Sequence, residues 1–598
     1  TWPAHAKKGL CPTANSKETK GKTSQKHYCK QGLIATFSRF FKPISVRMFS
    51  APVAGVTLEA TYYAYAAKQI SEFKTVSRIA IIKIHPGLNM AAAQLSGQLN
   101  RAGHETRMYF FREYQIEEHY VNESYTWENT DSAETIANLD TVNFEDEYYT
   151  LLEELKKFQP DAIGLTLHSL SIPEAVRATL FLKKELANLP VIWGGAGPTL
   201  EPDIAIEYAD MVCIGEGEEV ITEFANKLQN NEDWSTIDGT WAKKPGGEII
   251  KNPKRAIEDL DSIAVPNWNP DDMTYISGDQ VITGKGIAMV VTGGDYQIMT
   301  QRGCPFSCSF CIESRYQEMF GKKKSLRRRS VDIVIDELVK AKETYKPDRI
   351  WFWDDVFTVN PRWLKEFLPK YKEKVGIPFW CYTYPTTHNL ELLKELKAAG
   401  CNSLTMGIQS GSVRMLEEVY NRPTPLKRVL EAAQEIVDAG IIGYFDLITK
   451  SEFETEADLR ASFEFLTELP MELVYGGSAE MRSYPTYSYT NKVKDAKANN
   501  ILSSSDVVDD KTYAFYHNLY WVARNPFIDK QEKLAIADDP LYRENPELLE
   551  QFIYGKRTIH QSIIQMRKVT TKGVHPNILF PPPEYVHPSK PLHRSNAN

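Results

Sequence analysis

Residues 303–311 read Gly303-Cys304-Pro305-Phe306-Ser307-Cys308-Ser309-Phe310-Cys311. Spacings of four and three residues let a curling loop turn all three thiolates toward one metal centre. A closed structural zinc site asks for a fourth Cys or His close by, and the next downstream candidates, Cys381 and His388, are far along the chain. A four-iron cubane held by three protein thiolates leaves one iron open to an exogenous ligand. A zinc site completed from afar and three core cysteines are the competing readings.

The loop follows a short strand expected at 297–301 and opens an alternating series. Further strands are expected at 349–354, 378–384, 403–408, 442–448 and 473–482. Helices fit between them near 331–345, 361–374, 389–399, 426–439 and 455–467, with Ser330 and Asn389 as N-caps. Six βα units are too few for a closed eight-fold barrel and suit a partial (βα)6 barrel of TIM-like form, with its chemistry at the carboxyl ends of the strands. Upstream, Ile79-Ala-Ile-Ile-Lys-Ile84 is a β-branched apolar run and reads as a buried strand. Ala92, Leu95, Leu99 and Ala102 repeat at helical spacing up to a stop at Gly103. Strands at 104–110, 161–167, 190–194 and 211–215, with helices at 145–158 and 173–187, predict a doubly wound, Rossmann-like parallel sheet. Thr240-Trp-Ala-Lys and Glu248-Ile-Ile-Lys read as a hairpin. The stretch with Asp259, Asp261, Pro266 and Pro270 reads as a linker. The fold class is therefore α/β. Its expected organisation is a basic leader (1–50), a Rossmann-like domain (75–230), hairpin and linker (231–284), the barrel (285–490) and an α-rich C-terminal cap with a Pro-rich tail (491–598).

Composition narrows the function classes. The chain has 598 residues, 42% of them hydrophobic and 25% charged, enough to bury large cores. No run of 18 apolar residues occurs, so no membrane span is expected. A net charge of −8 argues against nucleic acid as the main partner. The basic run Lys322–Arg329 reads as a solvated surface. Eight cysteines make no disulfide scaffold; three of them clustered in a large acidic chain point to metal and to a reducing, cytoplasmic compartment. Residues 1–47 carry ten Lys or Arg and one acid, Glu18, ahead of an available start at Met48. That is the composition of a translated upstream segment or of an organelle transit peptide, and it is set aside from the fold.

The Cys304-x-x-x-Cys308-x-x-Cys311 loop, with Phe310 before the third cysteine and the (βα)6 pattern behind it, resembles the radical S-adenosylmethionine superfamily over about residues 285–485. The resemblance implies that the three cysteines hold a 4Fe–4S cluster whose open iron binds S-adenosylmethionine. One electron then cleaves the sulfonium to a 5′-deoxyadenosyl radical. It also places the Phe310 backbone near the adenine, Asp354 of Trp351-Phe-Trp-Asp354-Asp355 near the methionine ammonium, and Gln409-Ser410-Gly411 near the ribose. Asp446-Leu-Ile with Glu454-Thr455 and Tyr484-Pro485 fit other family segments only in part.

The upstream domain adds Trp193-Gly194-Gly195-Ala196-Gly197 after one expected strand and Gly215-Glu216-Gly217-Glu218 after the next. In this domain order the chain resembles the cobalamin-binding radical S-adenosylmethionine enzymes over about residues 75–490. The resemblance implies a corrin held by Ser169, Gly194, Gly195, Gly197, Gly215, Glu216, Gly217 and Glu218. The Asp-x-His-x-x-Gly frame that gives cobalt a histidine is absent, and His85, His104 and His168 all lack it. The function implied by the resemblance is that of a cobalamin-dependent methyltransferase acting on an unactivated carbon of a small molecule or peptide. An external flavodoxin- or ferredoxin-like one-electron reductant would serve it. A cobalamin-binding oxidative cyclase or ring-rearranging enzyme is the first rival, a cobalamin sensor with a vestigial barrel the second. A methylthiotransferase fits less well, because upstream only Cys213 stands where a second cluster's ligands would be.

Overall fold

The structure, a computed structural model, describes residues 76–84, 90–111, 145–277, 280–284, 294–502 and 508–549. The basic leader, His85 and the Pro-rich tail lie outside these residues.

The first sheet has nine strands: β1 (Arg78–Ile84), β2 (Glu105–Phe111), β3 (Ala162–Thr166), β4 (Val191–Gly194), β5 (Met211–Cys213), β6 (Thr240–Lys243), β7 (Ile249–Lys251), β8 (Met273–Ser277) and β9 (Gln280–Thr283). They lie in the order β7-β6-β5-β4-β3-β1-β2-β8-β9. The inner six pair in parallel, and antiparallel hairpins close both edges. Between Arg78 and Ile84, β1 is apolar apart from Lys83 because it is covered twice. Ile79 and Ile81 pack with residues of helices α1 (Met90–Arg101) and α4 (Glu218–Gln229), whereas Ala80, Ile82 and Ile84 pack with those of α2 (Glu145–Phe158) and α3 (Ile172–Glu185). Gly103 ends α1 with φ +92°, a conformation that suits glycine. The chain leaves β1 for β2 on one side and later returns to β3 on the other. The crevice outside the carboxyl ends of β1 and β3 is therefore the place where such sheets receive ligands.

The stretch expected as a linker does more than connect. Met273–Ser277 returns as β8, parallel to β2, and buries Met273, Tyr275 and Ile276. The Asp and Pro content upstream is used in capped 3₁₀ turns, where Asp259 accepts from the Asp261 N–H and Asn269 from the Asp271 N–H.

The second sheet is wholly parallel, in the order β10-β13-β14-β15-β16-β17, with β10 (Tyr296–Ile298), β13 (Ile350–Phe352), β14 (Phe379–Thr383), β15 (Cys401–Gln409), β16 (Ile442–Thr449) and β17 (Val474–Glu480). It is the open (βα)6 arc expected from the pattern. α5 (Ile312–Phe320) follows the cysteine loop. α6 (Val331–Tyr345), α7 (Pro361–Lys374), α8 (Leu390–Ala399), α9 (Leu426–Asp438) and α10 (Glu456–Glu468) cover the outer face. Asn389 caps α8 by accepting from the Leu392 N–H at 2.9 Å, whereas Ser330 occupies the N-cap of α6 without a side-chain cap bond. A two-stranded ribbon, β11 (Gln301–Arg302) with β12 (Arg327–Arg328), is pinned beside the cysteine loop. Beyond β17, α11 (Ser488–Ala498), α12 (Asp510–Ala523) and α13 (Lys530–Asp538) form the helical cap. Arg524 at the end of α12 donates to the carbonyls of Leu466, Leu469 and Leu473, each at 2.9 Å, and locks the cap onto the end of α10.

Candidate active site

The cysteine loop is built so that its side chains are left for a ligand. Gly303 starts it at φ +86°, where a Cβ would come 2.0 Å from the Ser325 carbonyl oxygen. Gln317 of α5 donates to the carbonyls of Cys304 (2.6 Å) and Phe306 (2.8 Å), and the Ser314 hydroxyl donates to the Cys308 carbonyl at 2.6 Å. A single π turn, Met415–Val419, frees carbonyls at its end. Val419 accepts from the Ser309 hydroxyl at 2.7 Å, and Tyr420 accepts from the Ser309 N–H at 2.9 Å. The scaffold thus braces the loop mainly through its backbone and Ser309. Of the thiols, only Cys308 receives a side-chain hydrogen bond among the described residues, from Arg422.

Cys308 is buried, and Cys304 and Cys311 are half-buried. Burial pushes the Cys304 thiol up to about 12, and it pushes Cys311 well above the ordinary range. The carboxylates of Asp355 and Glu313 act on both in the same direction. Such thiols stay protonated at neutral pH until a cationic metal displaces the protons. Among the described residues no group of three His, Cys, Asp or Glu side chains converges on a point for a single ion. A cubane does not ask for that convergence, since each thiolate takes a different iron. Three soft donors on one braced loop, with no fourth at hand, fit a cluster with one open iron. Arg422, which belongs to no motif read from the sequence, sets Nη1 3.7 Å from the Cys308 sulfur. Its Nη2 donates to the Gly407 carbonyl at 2.6 Å, and its guanidinium lies 4.1 Å over the Tyr384 ring.

The residues expected around S-adenosylmethionine divide. The Phe310 ring packs edge-on against Tyr420, centroids 5.2 Å apart, and the residue stays half-buried. Asp354 is 0% exposed. It accepts from the N–H groups of Thr300 (2.6 Å) and Gln301 (3.0 Å), from the Thr300 hydroxyl, and from Arg328 at 3.1 Å. With both oxygens engaged it ties β13 to the ribbon, and the expectation that it receives an ammonium is corrected. The carboxylate open at the barrel mouth is its neighbour Asp355, raised to about 6 by the protein around it and by the Asp354 charge. Ser410 and Gly411 are corrected likewise. The Ser410 hydroxyl bonds that of Ser462 at 3.2 Å, and a Cβ on Gly411 would lie 2.6 Å from the Ser462 Cα. Both hold β15 against α10. Gln409 remains at the strand end, half-buried, at φ +72°.

The carboxyl edge of the first sheet faces this loop across a cavity of about 390 Å³. Gly194, Gly195, Gly215 and Gly217 line one side, and Arg302, Gly303, Glu313 and Tyr316, which flank Cys304 and Cys311, line the other. Gly195 and Gly197 are glycine for the fold's own reasons, since Cβ atoms there would lie 2.6 Å from the Leu167 carbonyl oxygen and 2.7 Å from the His168 carbonyl carbon. Gly197 and Ser169 lie beside the residues that line the cavity rather than among them, and the buried Ser169 hydroxyl has no hydrogen-bond partner among the described residues. Glu216 and Glu218 border the cavity, but their carboxylates are committed elsewhere. Glu216 Oε1 pairs with Arg302 Nη1 at 2.9 Å and with Arg327 Nη2 at 2.8 Å, and Glu218 pairs with Arg302. Burial opposes the Glu216 charge, yet the hydrogen bonds of Arg327 and the charge of Arg302 hold its carboxyl below the ordinary value. The basic run divides: Lys322 and Lys324 are exposed as expected, whereas Arg327, Arg328 and Arg329 turn inward. Arg327 clamps the two domains, Arg328 holds Asp354, and Arg329 pairs with the buried Glu337 at 2.5 Å.

Residues 85–225 match the family described as B12 binding domain, and residues 298–466 match the radical SAM superfamily. An uncharacterized methyltransferase of Pyrococcus horikoshii is 28% identical over 352 residues, which cover 58% of this chain and 72% of that protein. An anaerobic magnesium-protoporphyrin IX monomethyl ester cyclase of Rubrivivax gelatinosus is 24% identical over 52% of this chain and 55% of its own length. The solved structure of OxsB, a cobalamin-dependent S-adenosylmethionine radical enzyme, with aqua-cobalamin and S-adenosylmethionine bound, superposes with a TM-score of 0.56. It is 14% identical, over 83% of this chain and 76% of that one.

Proposed function

We propose that this chain, which is a cobalamin-binding radical S-adenosylmethionine enzyme by its two domains, transfers a methyl group from S-adenosylmethionine to an unactivated carbon of a small-molecule or peptide substrate. The observation that carries the proposal is the shared cavity: one wall is the carboxyl edge of the corrin-type sheet, and the other is the flank of the cysteine loop. When bound, the cluster supplies the electron that cleaves S-adenosylmethionine, and the cobalamin carries the methyl group.

The protein's own groups bind, orient and exclude water. Cys304, Cys308 and Cys311 would hold three irons. Asp355 and Gln409, at the mouth, are placed to receive the polar groups of S-adenosylmethionine. Glu216, Glu218, Arg302 and Arg327 fix the spacing of the two cofactor walls through ion pairs, which is where preorganisation contributes to rate. A one-electron reductant has to come from outside the chain, as radical S-adenosylmethionine enzymes require. Among the described residues no helix is long and apolar enough to cross a membrane.

The test is made on anaerobically reconstituted protein carrying iron, sulfide and cobalamin. With methyl-labelled S-adenosylmethionine and a low-potential reductant, label should be recovered with the corrinoid, together with S-adenosylhomocysteine. Cleavage to 5′-deoxyadenosine with an unlabelled corrinoid would instead support the oxidative cyclase reading, which the Rubrivivax relative favours.

A further inference from the structure

The cavity contains a charge that no contact among the described residues explains. Lys83, next to last in β1, is 3% exposed and lines the cavity. No described residue accepts a hydrogen bond from its ammonium, and none sets a carboxylate against it; burial alone pulls it down to about 8. Of the acids that border the same space, Glu216 and Glu218 are paired with arginines, and burial with the neighbouring Asp355 charge pushes the Glu313 carboxyl up. A buried cation without a partner is costly. Its persistence points to something that the cavity's occupant supplies.

Its position says which part of that occupant it meets. Side chains alternate along a strand, so Ile81 and Lys83 share a face. Ile81 lies deeper, in an apolar slot with Leu95, Ile192, Val220 and Ile221. Lys83 stands at the carboxyl rim, paired in register with Thr166, and two residues beyond Thr166 comes His168. His168 also lines the cavity, and burial together with the Lys83 charge lowers it to about 4. A flat macrocycle laid across this edge therefore has the end of β1 beneath it.

We propose that Lys83 places its cation under the sheet-side face of the bound corrin, where a protein nitrogen ligand would otherwise stand, and so favours the more electron-rich cobalt. The inference rests on the cobalamin reading of this cavity. A protonated amine has no lone pair to give the metal, and it stabilises whichever oxidation state carries more negative charge.

Full-length protein loaded with cob(II)alamin is titrated with titanium(III) citrate, each Co(II) taking one electron as titanium(III) becomes titanium(IV). Lys83→Met should move the Co(II)/Co(I) midpoint to more negative potential, and Lys83→Arg should keep it near the wild-type value. The same displacement should appear with cobinamide, which lacks the nucleotide tail and its phosphodiester. Electron paramagnetic resonance of the wild-type Co(II) form should show no nitrogen splitting, and His168→Phe should leave the spectrum unchanged. An unmoved midpoint in Lys83→Met overturns the proposal. A displacement seen with cobalamin and lost with cobinamide also overturns it, because Lys83 then serves the phosphodiester. So does nitrogen splitting that His168→Phe removes. Wild-type protein that binds neither corrinoid would refute the cobalamin reading itself and this inference with it.

Discussion

The two carboxyl edges that face each other across the cavity are assembled on opposite plans. On the barrel side, the backbone of the cysteine loop is tied down by Gln317, Ser314, Val419 and Tyr420, and the reactive side chains are spared. On the corrin side the polar side chains that look free in sequence, Glu216 and Glu218, are consumed in holding the domains together. What remains for a ligand there is glycine backbone, the polar side chains of Gln94, Thr166 and His168, and the charge of Lys83. Chemistry is carried by side chains on one edge and by shape and a single charge on the other.

Removing a spared side chain should abolish chemistry and leave the fold alone. Cys304→Ala is expected to eliminate reductive cleavage of S-adenosylmethionine, read as 5′-deoxyadenosine, and to lower bound iron, with thermal stability close to wild type. Persisting cleavage would break the comparison at its strongest point.

Removing a consumed side chain should do the reverse. Glu216→Ala takes from Arg327 its one carboxylate partner among the described residues and leaves Arg302 with Glu218 alone, in a mostly buried setting. Loss of one partner from such a network costs about 3–5 kcal/mol. Denaturant unfolding should show that loss. The expected pH behaviour comes from the depressed Glu216 carboxyl. Its contribution is present above the unfolded-state pKa and is lost as pH falls through the folded one, so wild type and variant should converge in acid.

The glycines sharpen the contrast with a smaller effect. Gly197→Ala drives a Cβ to 2.7 Å from backbone at His168 and should cost about 1–3 kcal/mol by overpacking. Gly194→Ala meets only the Cys213 Cβ at an ordinary 3.6 Å. It should change stability by less than about 0.5 kcal/mol, and cobalamin affinity is the property it should alter.

A pH-dependent effect concerns an acid of the opposite kind, beyond the end of β16. Burial raises the Glu454 carboxyl to about 7 although Tyr513 donates to it at 3.1 Å. Between its ordinary value of 4.5 and about 7 the unfolded chain gives up this proton first, so stability falls as pH rises through that window. Glu454→Gln should flatten that part of the stability profile and leave the two proteins equal below it.

Most of the framework is legible in the chain itself. The period of the apolar residues sets the six-stranded arc, the doubly wound sheet and the hairpin at Thr240–Lys251, because an element's period depends on neighbours a few positions away. The spacing of Cys304, Cys308 and Cys311 is local in the same sense: three thiols within one loop share a region of space however the rest folds. Asp354 and Asp355, adjacent and chemically identical, cannot be told apart this way, because a strand end turns neighbouring side chains to opposite sides and the burial of each depends on the ribbon packed there.

The remaining assignments belong to contacts between distant residues. Glu216 meets Arg327 across 111 positions, and Asp354 meets Thr300 across 54. No pattern in the sequence states which acids find an arginine and which stay open, since that depends on how the two sheets are set against each other. The same holds for β8, five residues at the end of an Asp- and Pro-rich stretch that pair with β2, and for Arg327–Arg329, whose charges lie inside because buried carboxylates meet them there. Lys83 is the converse case. Its place in an apolar strand is visible in the sequence, but only the packed cavity shows that nothing in the described protein neutralises it.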